Sequence, residues 1–226
     1  MTITYHTDID QGSDEWYALR CGKLTASEMK LIITPTLKIA SNDKERAHLY
    51  ELLAQRITKY VEPHYISDDM LRGKDDEIEA RIRYADTYAS VQDVAFVTND
   101  RWGFTIGYSP DGLVGDDGLL ECKSRRQQFQ IETIIGNEMP DDFLLQCQTG
   151  LLVTERKWLD FVSYSGGLPM ITVRVWPDLE VQHAIVAAAT AFEQRLAARL
   201  MEYGAVLASG ARLIQTERRI VQEMFM

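Results

Sequence analysis

The sequence predicts an α/β layer fold of the α+β kind, with a mixed central sheet flanked by helices. Three observations carry this expectation. Apolar residues recur at helical spacing through the first third of the chain and again after Asp178. Between Val94 and Trp176, short β-branched and aromatic runs are bounded by glycine, proline and aspartate. Hydrophobic residues make up 46% of the 226, enough for one full-sized core. No internal repeat, low-complexity run or long Gly/Pro/Ser linker interrupts the chain. A single domain over 1–226 is therefore expected, with a helical N-terminal part (about 1–90) and a helical C-terminal part (about 178–226).

Residues 13–20 read as a short helix. Thr25-Ala26-Ser27-Glu28 has the form of a capping box ahead of Met29, Ile32 and Ile33. Residues 43–60 place Ala47, Tyr50, Leu53, Ala54 and Ile57 at helical spacing, and residues 75–89 do the same with Ile78, Ile82, Ala85 and Ala89. The pattern then changes. Residues 94–98 and 104–108 read as strands, Asp116-Asp117-Gly118 as a turn, and 119–123 as the next strand. A mostly helical stretch follows, including a helix from Asp141 or Asp142 to about Val153. Residues 158–165 and 170–176 are strands joined through Gly166-Gly167-Leu168-Pro169, and from Asp178 onward the chain is helical and alanine-rich.

Composition narrows the function. The net charge of -10, from 24 basic and 34 acidic residues, speaks against a broad phosphate-binding surface and leaves two readings, no nucleic-acid binding at all or binding through a local basic lining, between which net charge does not choose. Cys21, Cys122 and Cys147 stand alone, which argues against a disulfide framework, a zinc site or a four-cysteine iron–sulfur cluster. No apolar stretch is long enough to span a bilayer, and residues 1–10 lack the basic segment of a signal peptide. A soluble intracellular protein without membrane association is expected.

The segment that carries chemistry is Gly107-Tyr-Ser-Pro-Asp111-Gly-Leu-Val-Gly-Asp-Asp-Gly-Leu-Leu-Glu121-Cys-Lys123. Side chains alternate along a strand, so Glu121 and Lys123 share one face while Leu120 and Cys122 point to the other. Asp111, at the end of the preceding strand, can come beside Glu121 across a loop. Two converging carboxylates repel unless a cation lies between them, and oxygen ligands suit Mg²⁺ or Mn²⁺. A neighbouring lysine can lower the pKa of an attacking water or offset charge building on a phosphoryl group. Metal, water and a fixed positive group are the parts that phosphodiester hydrolysis needs, and the arrangement matches the PD-(D/E)xK nuclease motif. A second match, Pro140-Asp141 with Glu155-Arg156-Lys157, is rejected on geometry: a helix of roughly 13 residues would hold its acids about 20 Å apart.

Four motifs in order also resemble the YqaJ-type viral recombinase family, the phage lambda exonuclease-like proteins. These are Leu19-Arg20-Cys-Gly-Lys-Leu-Thr-Ala-Ser27-Glu28, then Gly73-Lys-Asp-Asp-Glu77, then Ser109-Pro-Asp111-Gly112 with Glu121-x-Lys123, and finally Gln146-Cys-Gln148. The resemblance runs from about Gln11 to Thr154. It implies a restriction endonuclease-like core and Mg²⁺-dependent 5′-to-3′ digestion of linear double-stranded DNA, leaving 3′ overhangs for recombination. It also implies a homotrimeric ring threaded by DNA and a single-strand annealing protein as partner. Carried over, Asp111, Glu121, the Cys122 backbone carbonyl and Glu77 ligate two metal ions, Mn²⁺ substituting for Mg²⁺. Lys123 positions or activates the water. Arg20 and Ser27 bind the 5′-terminal phosphate and Gln148 supports the site. The family places an arginine further past the lysine; here Arg125 and Arg126 follow almost at once and stand as DNA-contact candidates. Two alternatives are another PD-(D/E)xK endonuclease or repair nuclease, and a non-catalytic DNA-end-binding module.

Overall fold

The computed structural model describes residues 2–63 and 68–218. In chain order its elements are β1 (Ile3–His6), α1 (Asp14–Arg20), β2 (Leu24–Thr25), a 3₁₀ turn (Ala26–Glu28) leading into the single-turn α2 (Met29–Ile32), α3 (Asp43–Thr58) and α4 (Asp68–Thr87). Then come β3 (Val91–Gln92), β4 (Phe96–Asn99), β5 (Ile106–Tyr108), β6 (Gly112–Val114), β7 (Gly118–Ser124) and α5 (Gln127–Gly136). A second 3₁₀ turn (Asp141–Phe143), α6 (Leu144–Thr154), β8 (Trp158–Tyr164), β9 (Ile171–Val175) and α7 (Leu179–Ala208) complete the chain.

Three helices, α1, α3 and α7, begin where a short polar side chain satisfies first-turn amides. Ser13 accepts from the Trp16 N–H at α1, Asn42 from Lys44 and Glu45 at α3, and Asp178 from Glu180 and Val181 at α7. At the 3₁₀ turn the Glu28 carboxylate reaches back to the Thr25 N–H and hydroxyl.

Two mixed sheets result, in the orders β1-β4-β5-β2 and β3-β6-β7-β8-β9. Strand β7 lies inside the second sheet, antiparallel to β6 and parallel to β8. Helices or the other sheet cover both of its faces, so Gly118 to Cys122 are all buried. The main core joins Leu24, Val97 and Ile106 of the first sheet to Leu119, Leu159 and Phe161 of the second, with α2, α3, α6 and α7 packed around them. On the opposite face of β7 a smaller cluster sets Ala80 and Tyr84 of α4 against Val114, Leu120, Cys122 and Val162.

Three departures from the sequence reading stand out. The N-terminal part is not wholly helical. Ile3–His6 is a strand paired antiparallel to β4, an edge contact with a segment some ninety residues away. On α4 the isoleucines that mark the helical period face outward, with Ile78 60% and Ile82 51% exposed, while Ala80 and Tyr84 form the buried stripe. The C-terminal helix ends at Ala208; residues 209–218 are not helical, and the expected helix beyond them falls at 219–226, outside the described residues. Among the described residues no helix is long and apolar enough to cross a membrane.

Candidate active site

Strand β7 ends in Glu121-Cys122-Lys123-Ser124, and the loop before β6 delivers Asp111 to its edge. The Asp111 N–H donates to the Leu120 carbonyl, and its carboxylate Oδ2 accepts the Cys122 N–H at 2.6 Å. A residue's N–H and C=O leave a strand on the same edge, so the Cys122 carbonyl belongs to the Asp111 side as well. Around Asp111 the loop is braced from α1 and its approach. Gln11 donates to the Pro110 carbonyl at 2.8 Å, and the Trp16 indole donates to the Ser109 hydroxyl and the Ala95 carbonyl.

Glu121 is 1% exposed, and both oxygens of its carboxylate accept hydrogen bonds. Tyr108 donates its hydroxyl to Oε2 at 2.6 Å. Lys123 Nζ lies 2.6 Å from Oε1, which also accepts from the Gln146 amide. Glu77, from α4, comes within 3.9 Å of the same ammonium. Three carboxylates thus face one lysine. Burial, and then the negative charges of Glu121 and Glu77, push the Asp111 carboxyl up to about 8, although Lys123 opposes them. Burial likewise raises Glu77, Lys123 opposing and Glu121 and Asp76 adding to it. Burial alone would lower Lys123, but Glu121, Asp111 and Glu77 outweigh it and hold the ammonium protonated.

This donor set suits a hard cation: crowded oxygens with too little positive charge among them. Among the described residues no three His, Cys, Asp or Glu side chains gather tightly enough to cage an ion alone. An ion held here would complete its shell with a backbone carbonyl, water and phosphate, as Mg²⁺ commonly does.

A second cluster adjoins the first. The Arg20 guanidinium lies 4.3 Å from the centre of the Trp16 ring and donates to the hydroxyls of Ser109 and Thr25. Ser27 is exposed, its hydroxyl 3.4 Å from that of Thr25. It lines a cleft with Lys30, Asp142, Phe143 and Gln146. On the other side of Asp111 a cleft is lined by Glu77, Lys74, Ile78, Arg81 and Gln11, among others. Asp111 and Glu77 themselves line this second cleft, and Gln146 of the first one bonds Glu121.

The structure brings together Asp111, Glu121, Lys123 and Glu77, with the Cys122 backbone, and beside them Arg20 and Ser27. It does not bring Gln148 there. That side chain is 2% exposed and is committed to the start of α7, donating to the Trp176 carbonyl and accepting from the Asp178 N–H and the Gln182 amide. Two residues apart on α6, Gln146 and Gln148 point to opposite sides of the helix; Gln146 is the one that meets Glu121. Arg125 is packed between the Phe129 and Phe143 rings, 5.2 Å from each centre, and Arg126 precedes the first turn of α5. Motif reading overlooked Tyr108, Ser109 and Gln146 as side chains of the site. All three lie within its motifs or next to them, and the helical pattern of α6 does not single out Gln146 over Gln148.

With this geometry in place, comparison with known proteins adds family and fold. The family model described as YqaJ-like viral recombinase domain matches residues 15–157. An alkaline exonuclease (LHK-Exo) from Laribacter hongkongensis is 32% identical, with a TM-score of 0.78 over 88% of this chain and 100% of that one. LHK-Exo in complex with dAMP aligns at 33% identity and the same TM-score of 0.78, covering 88% of this chain and 100% of that one. A phage-related exonuclease from Haemophilus somnus 129PT shares the fold at 14% identity and a TM-score of 0.51, over 79% of this chain and 96% of that one. No curated protein matches the chain.

Proposed function

The chain belongs to the YqaJ-like viral recombinase family, and we propose that it is a metal-dependent 5′-to-3′ exonuclease that digests one strand of linear double-stranded DNA. The 3′ overhangs it leaves feed recombination by strand annealing. The coarser statement, that it is a nuclease, rests on the family and its structural relatives. The finer one rests on a single observation: the carboxylate pair and lysine at the end of β7 adjoin the half-buried Arg20 guanidinium, whose hydrogen bonds among the described residues run to the Ser109 and Thr25 hydroxyls. Burial lowers its pKa, with Glu28 and Tyr17 opposing, and its described hydrogen-bond partners carry no full negative charge. A terminal phosphate supplies that charge, and arginine is the side chain best shaped to receive it. A phosphate anchored there, against Ser109, which lies two residues before Asp111, makes cleavage depend on a DNA end.

In this reading Asp111, Glu121, the Cys122 carbonyl and Glu77 would hold Mg²⁺, with Mn²⁺ as a substitute and two ions per site. The metal would polarise the scissile phosphate and lower the pKa of the attacking water. The protein's own groups do the rest. Lys123, beside its carboxylate neighbours, positions or activates the water and offsets the negative charge that develops on the phosphoryl group. Tyr108 and Gln146 fix the Glu121 carboxylate, and Gln11 and Trp16 fix the loop of Asp111. A homotrimeric ring and a single-strand annealing protein complete the proposal as partners. The test uses linear and closed circular duplex DNA, each end labelled separately, with and without Mg²⁺. Loss of label from the 5′ ends of linear DNA only, with circles intact, is expected. Cleavage of circles or digestion from 3′ ends overturns the exonuclease reading, and metal-independent digestion overturns the metal's role.

A further inference from the structure

Helix α4 brings Glu77 to within 3.9 Å of the Lys123 ammonium, yet the apolar seat beneath it is small. Ala80 and Tyr84 rest on Val114, Leu120, Cys122 and Val162. Apolar burial has no direction, so a seat of this kind permits a helix to slide and rotate. Beside the Arg81–Asp93 ion pair, two polar contacts to the sheet strands restrict that freedom. Ser124, the residue after Lys123, donates its hydroxyl to Asp76 Oδ2 at 2.5 Å, one position before Glu77. Seven residues beyond Glu77, two turns and about 10 Å along the same face, Tyr84 donates to Asp160 Oδ2 at 2.6 Å. Asp160 is 3% exposed and is gripped from β9 by Arg174 at 2.8 and 2.9 Å. The Arg174 guanidinium in turn lies 3.8 Å over the Trp158 ring.

A carboxylate buried in a sheet face costs desolvation energy that an apolar side chain of similar volume would not. What it adds is a fixed direction for the groups bonded to it. The geometry points to Ser124 and the Tyr84–Asp160–Arg174 network as positioning residues, which set the rotation and register of α4 on β7 and β8 so that Glu77 stays beside Lys123. This inference rests on the reading of Glu77 and Lys123 as parts of a nuclease site. The sensitivity is high. At the roughly 5–6 Å radius of a helical side chain, a rotation of about 20° displaces the Glu77 carboxylate by about 2 Å, and a 1 Å misplacement can cost about a hundredfold in rate.

The test places Ser124→Ala and Tyr84→Phe in the natural sequence and in a Glu77→Gln background. Single-turnover rates are read on a 5′-phosphorylated linear duplex at saturating Mg²⁺, with crystal structures of the metal-free proteins. Each substitution is expected to slow cleavage about tenfold or more when Glu77 is present and less than about twofold when it is Gln, since groups acting through one another are not additive. Ser124→Thr keeps the hydroxyl and restores the rate. The variant structures are expected to place Glu77 further from Lys123 than the 3.9 Å seen here. Equal losses in both backgrounds, or an unchanged separation, overturn the inference. If Tyr84→Phe fails to fold, the Ser124 pair carries the test. If the natural protein proves inactive, the proposed function fails, and the metal-free structures still decide whether the two contacts position Glu77.

Discussion

Gly150 offers the sharpest test of how α6 shapes the site. It lies one helical turn after Gln146, and a Cβ there would meet Cε1 and Cζ of Tyr108 at 2.7 Å and Cε2 at 3.1 Å. In an open helix Gly→Ala stabilises by about 1 kcal/mol. Here the ring cannot step aside freely, because Tyr108 is 1% exposed and its hydroxyl is held 2.6 Å from Glu121. Overpacking costs about 1–3 kcal/mol, and straining a hydrogen bond to a charged group takes part of a further 1.5–3 kcal/mol or so. Gly150→Ala should therefore lose about 1–2 kcal/mol net, a fall in melting temperature of roughly 2–8 °C for a chain of this size. Turnover should fall with it, since Glu121 loses one of its donors. A double-mutant cycle with Tyr108→Phe separates packing from tether. Without the hydroxyl the ring can yield, so a coupling of about 0.5 kcal/mol or more is expected. A Gly150→Ala protein that melts at or above the natural one with full turnover refutes the argument.

Lys123→Ala should abolish hydrolysis while leaving binding of duplex DNA intact; undiminished turnover sinks its assignment. Asp111→Asn should change the pH dependence of stability in metal-free protein. The folded carboxyl sits at about 8 against an ordinary 3.8, so the folded state keeps a proton that the unfolded chain gives up across that window. Its stabilising contribution is full below about pH 4 and is lost as pH rises through 8. The advantage of Asp111→Asn in denaturant midpoint should therefore grow from pH 5 to pH 8, and a difference independent of pH counts against the buried, crowded carboxyl. Arg20→Ala should erase any preference for 5′-phosphorylated over 5′-hydroxyl ends in competition assays, and a preference that persists moves the phosphate elsewhere.

How much of this was legible in the sequence varies with the range of the interaction involved. Glu121 and Lys123 share a face because strand periodicity is two, and Ser13 and the Thr25–Glu28 pair announce helix starts by local hydrogen bonding; both are short-range facts. The turn at Asp111 and the run into β7 follow from adjacent residues. What the sequence hid depends on partners. Both sides of α6 are buried, so its pattern cannot say whether Gln146 or Gln148 meets Glu121; only the placement of β5 decides. On α4 the isoleucines suggested the wrong stripe, because its seat on the sheet is small and takes alanine and a hydrogen-bonded tyrosine. β1 is four residues long and exists only against β4.

The acidic net charge, -10 for the chain, bears most directly on how DNA is held. A protein so charged gains little from broad electrostatic attraction, and its affinity must come from few, well-placed cations. Arg20 has that character, since its hydrogen bonds run to hydroxyls and its face to Trp16. Affinity for duplex DNA falls with salt in proportion to the number of phosphates neutralised. Binding of a 5′-phosphorylated duplex in the absence of metal should accordingly show a shallow slope of log affinity against log salt. Arg20→Ala should reduce that slope by about 1, the share of a single phosphate contact. The same substitution should change nothing on a 5′-hydroxyl duplex, where the phosphate it serves is missing. A steep slope for the natural protein, or one that Arg20→Ala leaves unaltered, would mean that the DNA is held by a spread of surface charge that the composition argues against.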